Sequence, residues 1–400
     1  MKKIVSLLML LLLVSCSDKK QSDVNSSFDE VLKKAENTSV RFVMWGGSSS
    51  INKWVDSYVA GEVKKRYNIT LVRVPADASV FVNKLLSEKK SGSVKGSMDL
   101  LWINGENFKN AKENGLLWGP VTDKLPNCVE FVDSATVQSD FGFPVNGFEV
   151  PYGRAQFVFE YDSAKVTDVP DSYVKLQEWV KKNPGKFTYP QPPDFTGSAF
   201  IRQIFYASTG GHKQYAGAFN NTVFDKNKTA WIKYLSDLSP YLWNKGKNYP
   251  KDIAALDTLF ERGEVFINMS YHQADAQNRV LAGRYPATVK TFVMKEGSIY
   301  NTHFTAIPFN SGNKEGAMVV ANFLLSPEAQ LSKNDPANWG DFTVLDLKKL
   351  SKENRKKFAA LDLGRPTLPL DVLEKYAVPE VTSEYVEALE KEWENNFSNR

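Results

Sequence analysis

Cysteine is almost missing from this chain. Its 400 residues contain two, Cys16 and Cys128. Cys16 closes a leader-like start, so the remaining chain has a single thiol and no intrachain disulfide to lean on. An exported chain of this kind must hold together by apolar burial, and 400 residues are enough for two lobes or two ordinary domains. Histidine is nearly as scarce. His212, His272 and His303 lie far apart, and neither a CxxC nor an HExxH pattern is present, so the reading assigns no metal and no cofactor. The chain lacks GxGxxG, a Walker A loop and a GxSxG elbow. Its carboxylates fall on helix-like surfaces rather than as a glycosidase pair. An excess of one charge is absent too: 50 basic residues face 46 acidic ones, formally +4, which implies no nucleic-acid partner. The apolar run near the start spans eleven residues, too short to cross a bilayer. No short-period repeat is visible.

What is there begins with that leader. "MKK" is a basic n-region, "IVSLLMLLLLV" the apolar stretch, and "LVSC" resembles a bacterial lipobox. The resemblance implies that residues 1–15 are a signal peptide, that Cys16 is lipidated, and that residues 16–37 form a tether ending in a short helix. A plain signal peptide cut nearby, with Cys16 incidental, is the other reading. Cys128, in "LPNCVEF", reads as a bystander.

Composition beyond the leader is that of a folded protein, 42% hydrophobic and 12% aromatic. "VRFVMWG" reads as a strand and "SINKWVDSYVAGEVKKRY" as a helix, with Ile51, Trp54, Val55 and Tyr58 at helical spacing. "NITLVRVPA", "ASVFVNKLLSEKKSG", "MDLLWING" and "ENFKNAKENGLLW" continue the alternation. A β-α-β-α-β-α series predicts an α/β fold with mostly parallel sheets flanked by helices. Ligands of such sheets sit beyond the carboxyl ends of the strands. "WGGSSS" stands at one such end. There the glycines permit a tight turn and the serines cap a helix whose free N–H groups face outward. Gly and Ser also make ordinary turns and caps, so the segment alone leaves both readings open. "TGSAF" repeats the device later in the chain.

The stretches "RFVMWGG", "SMDLLWINGENFKNAKENGLL", "VPYGRAQFVFEYDSAKV", "YPQPPDFTGSAF", "GEVFINMSYHQADAQNRV" and "AMVVANFLLSPEAQ" together resemble the extracytoplasmic solute-binding proteins of bacterial ABC importers. Within that family the similarity lies with the type II group of thiamine, polyamine and ferric-ion binders, and with the YnjB-type proteins. The resemblance implies a two-lobed periplasmic-binding-protein fold with a cleft between the lobes. Residues 38–155 would open the first lobe, 156–288 would form the second, and 289–400 would return to the first and brace it and the hinge with C-terminal helices. The resemblance also implies a non-catalytic, periplasmic, lipid-anchored, monomeric receptor that hands a small solute to an ABC permease.

Carried over by position, Trp45, Gly47, Ser48 and Ser49 fall on the first binding loop, and Trp102, Asn104 and Gly105 on the third. Tyr152 and Arg154 sit at the first crossing between lobes. Phe195, Thr196, Gly197 and Ser198 form the second-lobe helix mouth, and Tyr271, His272 and Asp275 face the cleft. Ferric-ion binders use adjacent tyrosines here, whereas "MSYHQAD" has one. Trp102 suits a flat or cationic solute, and Asn104 would orient it. Packing under the loop and an Asn-Gly turn are the plainer readings. Arg154 fits an anionic group or a hinge ion pair. Asp275 fits a cation or a helix cap. The aromatic residues with Asp275 point to a thiamine-like or amine cation. The Gly-Ser loops with Arg154 point to an anion, and a zwitterion or phosphorylated compound would use both. A secreted lipid-anchored hydrolase with an unrecognised site and a structural lipoprotein are the competing functions.

Overall fold

The computed structural model describes residues 27–133 and 137–398. Cys16 and residues 16–26 of the expected tether lie outside them. Strand β1 (Ser39–Met44) is exposed only at Ser39, and its last three residues are all buried. Val40, Phe42 and Met44 enter one core cluster and Val43 another, so the strand is buried on both faces. That is the environment of a central strand covered by helices. Helix α1 starts at Ser49–Lys53, passes through a wider turn at Trp54–Val59 and ends as Ala60–Tyr67. Its buried stripe is Ile51, Trp54, Val55, Val59 and Val63. Asn68, in the left-handed region at φ 52°, stops it. Strand β2 (Thr70–Pro75), helix α2 (Ala78–Lys90), strand β3 (Leu100–Ile103) and helix α3 (Gly105–Glu113) follow. β1 pairs in parallel with both β2 and β3, as the alternation predicts.

A short strand β4 (Leu117–Trp118) precedes β5 (Glu149–Gln156). After Phe157 the chain becomes β6 (Val158–Asp162) of a second sheet. Helix α4 (Phe195–Ser208), strand β7 (Ile267–Ser270), helix α5 (Asp275–Leu281) and strand β8 (Val289–Phe292) belong to this second lobe. The chain then comes back through the eleven-residue strand β9 (Ser298–Pro308). β9 runs antiparallel to β3, β4 and β5, and the second sheet, in the order β8-β6-β7, is antiparallel throughout. Parallel pairing in the first sheet is therefore confined to β1–β3 and to β9 with β10 (Ala377–Val378). The physical reason is the crossing: strands that carry the chain out of a lobe and back must oppose each other.

Helices α6 (Lys314–Leu324) and α7 (Pro327–Asn334) cover the first sheet. The second lobe has its own aromatic core, with Phe159, Tyr189, Phe200, Phe205 and Trp231. The last helix, α8 (Ser383–Phe397), differs from the expected brace of the first lobe. It sends Tyr385, Leu389, Trp393 and Phe397 into the second-lobe core, because those residues form its apolar stripe. It reaches the first lobe through an ion pair between Glu384 and Lys109. Among the described residues no helix is long and apolar enough to cross a membrane.

Candidate functional site

Because β1 and β3 are parallel neighbours, their carboxyl ends share one edge of the first lobe, and α1 and α3 begin there. Trp45 follows β1 and is 42% exposed. A Cβ on Gly47 would collide with the Trp45 ring, so the indole lies against the glycine. Ser48 caps α1, accepting from Ile51 N–H at 3.4 Å, and its hydroxyl lies 3.0 Å from that of Ser50. Ser49 opens the helix.

At the end of β3, Trp102 is half-buried, and its indole N–H donates to Asn104 Oδ1 at 3.0 Å. The Asn104 amide donates onward to the Thr302 carbonyl at 2.6 Å. Gly105 has φ +60° and donates its N–H to Asp140 at 2.5 Å. Burial pushes the Asp140 carboxyl well above the usual carboxylate range. A Cβ on Gly105 would also press on the Phe141 ring at 3.4 Å.

Beneath this edge, Trp102 stands edge-on to Tyr152 at 5.6 Å and to His303 at 4.9 Å. Trp339 stacks on His303 at 5.8 Å. Tyr152 itself is buried. His303 Nε2 lies 3.3 Å from Asp341, whose other oxygen accepts from the fully buried Lys333 at 2.6 Å. Burial disfavours the Asp341 carboxylate, yet Lys333 and His303 hold it below its ordinary range. Burial lowers Lys333 in turn. Gly153 leaves room for this group, because a Cβ there would strike Asp341. Arg154 is half-buried; its backbone pairs with Phe342 at 3.0 and 3.2 Å, and burial lowers its guanidinium.

In the second lobe, Asp194 caps α4, accepting from Thr196 at 3.0 Å and Gly197 at 2.9 Å, while its second oxygen accepts from Ile253 N–H at 3.0 Å. Gly197 lies hard against the Pro190 carbonyl. Ser198 accepts from Arg202 at 2.7 Å and donates to Glu390 at 2.5 Å. Phe195 is 45% exposed and rests 4.9 Å from Tyr271 and 6.3 Å from Phe141, ring to ring. The Tyr271 hydroxyl donates to Glu380 at 2.7 Å, and burial followed by that carboxylate pushes the phenol well above its ordinary value. The His272 backbone N–H donates to Ser270 Oγ, and burial lowers its imidazole. Asp275 is held by Arg279 at 2.5 Å, which also grips Asp257 and Glu261.

The expected residues therefore fall into groups. Trp102, Asn104 and Tyr152 meet with His303 and Trp339. Phe195, Ser198 and Tyr271 meet through Arg202 and Glu380. Gly105 reaches this second group by way of Phe141. Trp45 to Ser49 form a loop of their own, Thr196 and Gly197 turn toward Asp194, and Asp275 turns toward Arg279. Reading the sequence missed Asp140, Phe141, Arg202, His303, Lys333, Trp339, Asp341 and Glu380. Arg202 alone carried a signal, a lone charge inside the apolar stretch "SAFIRQIFYA".

The chain leaves the first sheet at Phe157 and returns into β9, which gives the two-lobed architecture of the periplasmic binding proteins. The chain belongs to the family of bacterial extracellular solute-binding proteins, which it matches over residues 59–335. It is 38% identical over 376 residues to Protein YnjB of Escherichia coli (strain K12), covering 93% of this chain and 94% of that one. Among solved structures, it shares the fold of the spermidine/putrescine substrate-binding protein PotD from Streptococcus pneumoniae. There the TM-score is 0.61 at 15% identity, over 90% of this chain and 99% of that one. It also shares the fold of a periplasmic thiamin binding protein, with TM-score 0.58 at 17% identity, over 90% and 96% of the two chains. The protein is a non-catalytic solute receptor of an ABC importer and acts outside the cytoplasm.

Proposed function

We propose that the receptor takes a small organic solute with a flat ring, neutral or cationic, held by aromatic faces between the lobes. Phe195, Tyr271, Trp102 and Trp45 are the contacts this reading selects. The observation that carries it is the α4 mouth, where Phe195 stays 45% exposed while Asp194 occupies the helix N–H groups. Phosphates and carboxylates bind such mouths through free N–H groups. In this chain Ser48 takes one such group, Asp140 takes another, and Asp194 takes two, and the two carboxyls disfavour a second anion beside them. The phosphorylated and anionic readings are left with fewer donors in this way. Asp275 is committed to Arg279, so a cation would be held by ring faces more than by that carboxylate. Relatives that share the fold are described as binding thiamin and polyamines, which fits an amine or ring cation.

The same reading has Cys16 lipidated, the monomeric receptor tethered at a membrane on the periplasmic side, and the closed lobes presented to a permease. A thermal-shift panel of vitamins, polyamines, amino acids, oxyanions and sugars on the lipid-free domain tests the ligand class, because a ligand of the folded state raises Tm. The expected result is a response to a ring or amine compound that falls at least tenfold in affinity in Phe195→Ala. A response confined to oxyanions would sink it.

A further inference from the structure

We propose that Arg202 and Glu380 are positioning residues of the solute site, and that the C-terminal segment bearing Glu380 thereby shapes what the cleft accepts; this rests on the cleft reading above. Arg202 lies inside α4 and Glu380 between β10 and α8, 178 residues later. Their side chains are 1% and 3% exposed. The guanidinium grips the carboxylate with two bonds, 2.7 and 2.9 Å, and donates its third edge to Ser198 at 2.7 Å. Glu380 accepts a further bond from the Tyr271 hydroxyl. The same guanidinium lies 5.8 Å from the Phe141 ring and 5.9 Å from Phe195. One planar cation therefore fixes Ser198 directly, Tyr271 through the carboxylate, and two rings by its faces.

The segment that presents Glu380 is itself pinned. Tyr206 donates to the Pro379 carbonyl at 3.0 Å, and a Cβ on Gly142 would sit 2.9 Å from Thr382. The family match ends at residue 335, so this support for the α4 mouth comes from beyond the part of the chain that matches the family. Stability alone is a weak reason to keep such a pair. Burying two charges costs about as much as their attraction returns, and apolar residues of similar volume often do as well. What apolar replacements lack is the fork that holds Tyr271, Ser198 and the two rings in one arrangement.

That contrast supplies the test. Glu380→Ala strands a buried guanidinium and is expected to fold poorly, so the informative variant is Arg202→Met with Glu380→Leu. 4-Fluorophenylalanine placed at Phe195 of the solute-free chain reports the ring by fluorine NMR. The expected result is one narrow line in the parent. In the double variant, the expected line is broadened or shifted toward that of the free amino acid, although Tm stays within a few degrees of the parent. Thiamine affinity, measured on the same proteins as the probe, is expected to drop at least tenfold in the double variant. An unchanged fluorine line, or a thiamine response lost in Phe195→Ala but kept in the double variant, would overturn the proposal. A thiamine response untouched by Phe195→Ala would instead count against the cleft reading, with the fluorine line still deciding whether the pair positions the ring.

Discussion

Among the described residues each lobe has a fully buried ion pair, and the pairs and the caps of α3 and α4 draw on opposite spans of sequence, although α1 is capped locally by Ser48. In the first lobe the pair is nearly local, Lys333 with Asp341, while the cap of α3 comes from Asp140, 35 residues away. In the second lobe the cap is local, Asp194 two and three residues before its donors, while the pair joins Arg202 to Glu380 across 178 residues. A distant partner does more than satisfy a group. Asp140 fastens the Phe141 loop to α3, and Glu380 fastens the C-terminal segment to α4, so each non-local bond brings another segment to the cleft.

The largest effects should come from the pairs. Asp341→Ala and Glu380→Ala each strand a buried cation and should cost about 3–5 kcal/mol in urea unfolding. Only the second should also make residues 377–397 an early target in limited proteolysis. Equal protease sensitivity in both variants would erase the distinction between local and distant pairs. Caps come next. Asp194→Ala removes the acceptor of three backbone N–H groups and should cost about 2 kcal/mol. Asp140→Ala should cost only about 1 kcal/mol, because it loses one bond and relieves a carboxyl whose ionisation burial opposes. A larger loss at Asp140 would reverse the ranking.

The smallest effect lies where the lobes meet. Burial sets the folded His272 imidazole below its unfolded value, near pH 6.5. Above that pH both states are neutral at this residue and its contribution is constant. As pH falls below it, the unfolded chain gains a proton first and stability declines. His272→Gln should therefore flatten the stability curve between about pH 6.5 and 5, as read by urea unfolding at a series of pH values. An unchanged slope would show that the imidazole is solvated like a free one.

The legible part of this fold was its local part. Val40, Phe42 and Met44 on one side of β1, and the stripe from Ile51 to Val63, are patterns within a few residues, and they gave the first three strands and helices. The antiparallel second sheet was not legible, because strand direction there follows from where the chain crosses and returns. Aromatic residues at strand ends and helix mouths, such as Phe195, Tyr271 and Trp102, could be picked out because a terminus has a recognisable sequence. Their settings could not. Arg279, four residues after Asp275 on the same helix, is a local partner that the spacing offered and the reading passed over, whereas nothing near Glu380 announces Arg202, 178 residues away.

The placement of α8 also bears on how the molecule is made. Trp393 and Phe397 stand in the same apolar cluster as Phe159, Phe200 and Trp231. That core cannot close before residues 393–397 are made, long after its strands Val158–Asp162 and Ile267–Ser270. Those two strands and α4 thus wait, with an apolar face uncovered, for a helix made more than a hundred residues after them.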